Sequence, residues 1–464
     1  MSNEPLPEDT GSARTSNIRK NIFIRFFLTF SISSNLSKLS AMKQSADSID
    51  SLNGIRVFSL IWVLFCHIFL QIVINMPISN PADIVRTSER LMDQYIVNGF
   101  YAVDSFFFLS AFLMSYHMLN TCEKRKGRLP WAMVYVHRIA RLLPVYAITI
   151  LLSMYVYPLL GNGPTWQSTW QPMYKACEDY WFTNMLFINN FYPNSIEGCM
   201  GWTWYLANDM QFFLISPPII YLLYRSWKLA LGLISTLYAI SITVTSAILI
   251  SKDISPLIGI AFIENPLEAD LMNEKYMSDI YIKPYARIQP YLIGIIFGYV
   301  FHRLKRDNIQ IKIPLVVNII GWIVSVVLMV VCVCFQYFDY HNHTEMSMVS
   351  RVIYVALLRG VWAIALCWVV FACHYKHGGF VSEILSFKIW MPIGRLTYLA
   401  YLNHFLVMLI VMCAFTEPLM YNSALVICVF VGIISVTFLI SFIASLLVEF
   451  PVGALFKLLE GKLK

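Results

Sequence analysis

The stretch Ser51 to Ile74, SLNGIRVFSLIWVLFCHIFLQIVI, places Arg56 near its start and His67 deeper in. The run is otherwise apolar and long enough to cross a bilayer as a helix. The two residues are eleven positions apart, about three turns and roughly 16 Å of rise. Eleven steps of about 100° return to within about 20° of the same face. One face of one membrane helix therefore presents a guanidinium toward one end and an imidazole further in. Ionisable side chains at such depth are costly and by default mark a functional site. The chemistry open to this pair is anion binding by Arg56 and proton abstraction by His67 as a general base.

A second constellation lies in VYVHRIARLLPVYA, where Arg138 and Arg141, at i and i+3, share a helix face. They sit about two turns inside another apolar run. Two guanidiniums there call for an anion, and arginine matches phosphate bidentately. The phosphates of coenzyme A would serve; the plainer reading is snorkelling to lipid headgroups. Asp209, in GWTWYLANDMQFFLISPP, is a membrane carboxylate that could orient His67. It reads equally as a structural partner for an arginine such as Arg287 or Arg359. Above it, Trp202, Trp204 and Tyr205 read as an aromatic belt at the outer interface. Asp104 falls near the outer end of YAVDSFFFLSAFLMSYHM, an interfacial position, while Ser110 and Ala111 are small enough for close helix contact. His404, in TYLAYLNHFLVM with Tyr401 one turn before it, is either a second functional imidazole or a buried structural one. His374 and His377 have no cysteine or acid beside them, so no metal site is expected. Phosphate-loop, dinucleotide and nucleophile-elbow motifs are absent from the sequence.

The elements that must position these residues follow from composition. The chain has 464 residues, 58% hydrophobic and 13% charged, with mean hydropathy +0.63, which implies an all-α polytopic membrane protein embedded in the lipid bilayer. Ten apolar spans are expected, at approximately 55–75, 99–119, 132–159, 201–224, 228–250, 285–302, 313–336, 351–373, 396–415 and 422–448. Residues 1–50 read as a polar tail followed by a short interfacial helix at Asn21 to Phe30, residues 51–455 as the membrane domain, and residues 456–464 as a basic tail. The net charge of +7 does not point to nucleic acid. Its basic residues gather on one side of the spans, as in Lys124-Arg125-Lys126, Arg303, Lys305, Arg306 and Arg395, and the other side is acidic, with Glu264, Glu268, Asp270, Glu274 and Asp279. The positive-inside rule then puts both termini in the cytosol, in the plasma membrane or an endomembrane. Cys177 and Cys199 share an outside loop, where a disulfide is expected; on loop entropy it is worth about 3 kcal/mol. Asn342 heads an outside glycosylation sequon.

Arg-x10-His at Arg56 and His67, FFFLSAFLM, and Arg-x-x-Arg at Arg138 and Arg141 occur in that order. Together they resemble the membrane acyltransferase-3 family. SLNGIRVFSLIWVLFCH, YVHRIARLLPVYA, CMGWTWYLANDMQFFLISP, YIKPYARIQPYLIGIIFGY and RLTYLAYLNH resemble its animal, nose-resistant-to-fluoxetine-like branch, over residues from about 30 to about 455. The resemblance implies a ten-helix domain that takes an acyl group from cytosolic acyl-CoA, a substrate rather than a bound cofactor. The group passes to a hydroxyl-bearing acceptor, carbohydrate or lipid, at or across the membrane. It implies that His67 is the base and that Arg56, Arg138 and Arg141 bind the donor. Asp209 stands where bacterial members usually have Glu, and Ala111 where the family usually has Gly. The animal branch normally carries a cysteine-rich lumenal domain ahead of this region; here only a polar tail precedes Asn21. A carrier for lipids or hydrophobic molecules on the same scaffold is the alternative function.

Overall fold

The structure, a computed structural model, describes residues 22–42, 49–194, 198–257, 273–309 and 311–463. The polar residues 1–21 and the acidic Glu264, Glu268 and Asp270 lie outside them. Among the described residues the chain forms helices and no strands, with a single parallel bridge between Ile78 and Leu419. Two short helices come first, α1 (Ile22–Thr29) and α2 (Ile32–Ser40). The bundle follows: α3 (Ser51–Asn75), α4 (Phe100–Lys124), α5 (Trp131–Tyr155), α6 (Trp166–Met185), α7 (Trp204–Arg225), α8 (Trp227–Lys252), α9 (Pro284–Arg306), α10 (Leu315–Cys334), α11 (Leu358–His374), α12 (Trp390–Cys413), α13 (Ser423–Ala444) and α14 (Phe450–Leu463). The expected interfacial segment is the helix α1, with Phe23 and Phe27 largely exposed.

Nine helices among the described residues are long and apolar enough to cross a membrane: α3, α4, α5, α7, α8, α10, α11, α12 and α13, several of them prolonged by a tighter or wider turn. The tenth expected span, 285–302, is the helix α9, which is long enough at 23 residues but carries Arg287, Gln289 and a basic last turn. Arg287 and Gln289 are turned into the bundle and fully buried. Gln289 Nε2 donates to the Ser241 hydroxyl at 3.2 Å and to the Ala356 carbonyl at 2.9 Å. The expected basic tail begins within residues 450–463, which are helical, as α14.

The ends of the bundle are defined by their contacts. Ile78, after α3, and Leu419, after α12, are bridged, so the C-terminal ends of these two helices lie side by side and the helices run parallel. The disulfide joining Cys177 to Cys199 lies at this end, because Thr169 of α6 donates to Asn75 at the tip of α3. At the opposite, basic end, Arg395 in the first turns of α12 donates to the carbonyls of Lys38 and Leu39 in α2.

Close approach of α9 to α4 rests on two glycines. A Cβ on Gly294 would stand 2.5 Å from the Phe108 carbonyl oxygen and 2.9 Å from Ala111 Cβ; one on Gly298 would stand 2.7 Å from the Phe112 carbonyl oxygen. Small residues four apart let membrane helices touch backbone to backbone, and Ala111 meets this seam, as its size suggested. Gly298→Val is expected to cost about 1–3 kcal/mol through overpacking. It should lower the thermal midpoint of detergent-purified protein, whereas Gly432→Ala, with open space around its Cβ, should not.

Candidate functional site

A cavity of about 790 Å³ opens between α3, α4, α5, α7 and α12. Arg56 and His67 both line it, as their shared face requires, together with Ser110, Arg138, Arg141, Trp204, Tyr205 and Asp209. The other anticipated imidazole, His404, is fully buried on α12 directly behind His67. His67 lies sixteen residues into α3 and His404 fourteen into α12. In parallel helices these are similar depths, about 24 and 21 Å.

The two imidazoles hydrogen-bond, His67 Nδ1 to His404 Nε2, at 2.8 Å. His404 Nδ1 lies 2.6 Å from the Tyr401 carbonyl oxygen. A carbonyl only accepts, so His404 Nδ1 carries the hydrogen, and in the neutral ring Nε2 is the acceptor. His67 Nδ1 must then be the donor, which leaves the lone pair of neutral His67 on Nε2. A chain of hydrogen bonds running one way thus fixes His67 in the tautomer of a base. A neutral histidine does here what the sequence suggested for a carboxylate.

That carboxylate, Asp209, is committed elsewhere. One of its oxygens accepts from the Ser110 hydroxyl at 2.7 Å, and the other pairs with Arg138 Nη2. The same guanidinium donates to Ser110 at 3.1 Å and lies over the Phe213 ring at 4.4 Å. The expectation that Asp209 orients His67 is therefore corrected: it neutralises Arg138, a cation that the sequence seemed to leave to an outside anion. Arg141, one turn along, and Arg56 act on each other electrostatically, and neither has a carboxylate at ion-pair distance among the described residues. Arg125, His137 and Arg395 also line this region of the cavity. Its basic end is thus rich in cations, and its deeper end holds His67.

Trp202 and Trp204 are buried, so the expected aromatic belt is instead cavity wall. Trp202 Nε1 donates to the Leu402 carbonyl at 3.3 Å, and the Tyr401 hydroxyl returns to the Trp202 carbonyl at 2.6 Å. The turn that aims them is held from α6. Asn184 donates to the Tyr146 hydroxyl, the Cys199 carbonyl and Thr203 at 2.7, 2.8 and 3.2 Å, beside the Cys177–Cys199 bridge. Asp104, one turn into α4 at the end expected to be outer, is fully buried and paired with Arg287 at 3.1 Å. Asn342 ends a short helix and is exposed. Arg395 was not among the expected cavity residues: it stands nine positions before His404, where Arg56 stands eleven before His67, so helical spacing puts it on the opposite face from His404 and gave no signal of a shared site.

The cavity sits in a membrane helical bundle, and the chain belongs to the acyltransferase-3 family: residues 49–446 match its acyltransferase domain. It is 30% identical over 459 residues, 95% of this chain and 55% of the relative, to Nose resistant to fluoxetine protein 6 of Caenorhabditis elegans. It is 23% identical over 274 residues, 56% of this chain and 52% of the relative, to Regulator of hypoxia-inducible factor 1 of the same organism. The chain spans about half the length of these curated relatives. No solved structure matches it.

Removing one member of a buried ion pair costs roughly 3–5 kcal/mol, because the other charge stays behind. Asp209→Ala should therefore lower the unfolding midpoint strongly, and adding Arg138→Ala should restore part of it. If Asp209 instead served His67, the second substitution would bring no recovery.

Proposed function

We propose that the protein is an integral membrane O-acyltransferase that moves an acyl group from cytosolic acyl-CoA to a hydroxyl of a carbohydrate or lipid acceptor, at or across the membrane. The observation that carries this reading is the occupancy of one cavity by His67, with its lone pair on Nε2, and by Arg56 and Arg141, neither of which has a carboxylate at ion-pair distance among the described residues, although Glu449 acts on Arg141 electrostatically from further away. Arg141 and Arg56, aided by Arg395, hold the donor phosphates from the basic side. Arg138 keeps the register of α5 against α7 through Asp209 rather than meeting the donor with a free charge. With α9 counted as a tenth crossing, both termini fall on the cytosolic side, a topology that the distribution of lysine and arginine supports. The site takes acyl-CoA as a substrate and needs no resident cofactor.

In this mechanism His67 Nε2 removes the proton of the acceptor hydroxyl as the oxygen attacks the thioester carbonyl. The carbon–sulfur bond breaks, and the departing thiolate takes a proton back from the imidazolium, giving the ester and free coenzyme A. His404 holds the ring through Nδ1 during both transfers. Family membership supports the reaction class; the roles of the residues are the proposal.

Purified full-length protein is expected to bind acyl-CoA, and Arg56→Ala/Arg141→Ala is expected to lose that binding. His67→Ala should keep binding but lose about 10²–10⁴ in turnover, the usual contribution of a general base. His404→Ala should lower kcat while leaving the donor KM unchanged, since it acts through His67. A stable wild-type protein that binds no acyl-CoA would overturn the donor site and favour a carrier of lipids or hydrophobic molecules, which has no use for a proton-accepting imidazole.

A further inference from the structure

A second group of charges is buried behind the cavity wall, toward the disulfide end. Asp104 of α4 and Arg287 in the first turn of α9 are fully buried, and Arg359 at the start of α11 is 3% exposed. Arg287 Nη1 donates to both Asp104 oxygens, at 3.1 and 3.2 Å, and its Nε donates to the Tyr281 carbonyl at 2.9 Å. The guanidinium lies 4.2 Å from the Tyr281 ring centroid and 5.2 Å from that of Trp204, two residues that form part of the cavity lining. Arg359 Nη2 donates to the Tyr276 hydroxyl at 3.3 Å.

Two guanidiniums thus lie near one carboxylate, to which Arg287 alone is bonded. Arg359 interacts electrostatically with Asp104, Tyr101, Tyr276 and Tyr354, and Tyr281 with both arginines, so the groups form one neighbourhood. Of its polar atoms, Arg287 Nη2, Arg359 Nη1 and Tyr101 Oη are buried without a hydrogen-bond partner among the described residues. A buried guanidinium without a counter-charge is strongly unfavourable, as is a buried N–H without an acceptor. Each of the three atoms can donate, and the charge in excess is positive. A water molecule would supply an acceptor but no charge. A monatomic anion supplies both, and its lack of hydrogens suits a site made of donors.

We propose that Arg287, Arg359 and Tyr101 form a buried site for a small monovalent anion of the halide class, which completes the charge balance that Asp104 begins. This site stands apart from acyl transfer: it takes neither donor nor acceptor, and it ties α4, α9 and α11 together behind Trp204.

The test is thermal unfolding of the detergent-purified full chain, dialysed into sodium gluconate and titrated with sodium chloride or sodium bromide at constant ionic strength. A saturating rise in Tm with either halide is expected. Arg359→Met should give one Tm in all three salts, and Arg141→Ala, in the cavity, should retain the halide response. Tyr101→Phe removes one donor and no charge; it should raise the half-saturating halide concentration several-fold, which keeps the test decisive if Arg359→Met does not fold. Equal wild-type Tm in gluconate and chloride would overturn the proposal in favour of water or an acidic side chain. A halide response unchanged in Arg359→Met or in Tyr101→Phe would overturn it too, placing the anion elsewhere.

Discussion

A charge held at the depth of the hydrocarbon must meet an opposite charge or face water, and that constraint organises this bundle. Arg138 and Asp209 satisfy each other and thereby tie α5 to α7, with Ser110 of α4 bonded to both. Asp104 and Arg287 satisfy each other and tie α4 to α9. Arg56 and Arg141 are left facing the cavity. Arg138 and Arg287, in close ion pairs, thus hold helices together, and Arg56 and Arg141, without one, face the cavity. Helix α4 stands at the centre of it, with Asp104 a member of one pair, Ser110 hydrogen-bonded to both members of the other, and the glycine seam of α9 along its length.

The imidazole pair is a low-charge answer to the same constraint. A carboxylate behind His67 would have added another buried anion needing its own partner. A neutral histidine sets the tautomer by hydrogen-bond direction alone, and the backbone carbonyl of Tyr401, one turn earlier on the same helix, sets the tautomer of that histidine. This works because α3 and α12 run parallel and place His67 and His404 at similar depth.

The far wall depends on covalent and polar restraint outside the main spans. The Cys177–Cys199 bridge and the Asn184 network hold the turn that starts α7. That turn carries Trp202, Trp204 and Tyr205 inward, where they close the cavity around His67. The same Trp204 covers Arg287 from the other side, so the wall of one polar site is the roof of another.

The sequence by itself determined that this is a helical membrane protein, where most of its spans fall, and that Arg56 and His67 share one face, because apolar length and a period of 3.6 residues are local properties. It also carried the pairing of Cys177 with Cys199, through their isolation in one polar loop, and the family, through motifs kept in order. It could not decide partners. Asp209 was compatible with His67, Arg287 or Arg359, and it is bound to Arg138; Asp104 looked interfacial and is fully buried; Trp202, Trp204 and Tyr205 had the composition of a lipid-facing belt and line a cavity. Span α9 was legible as a helix but not as an inner one, since its arginine and glutamine are tolerable only with Asp104, Ser241 and the Ala356 carbonyl beside it. Which helix lies against which is settled by packing between residues far apart in the chain. Periodicity reports the face a residue occupies, and only the tertiary structure decides what that face meets.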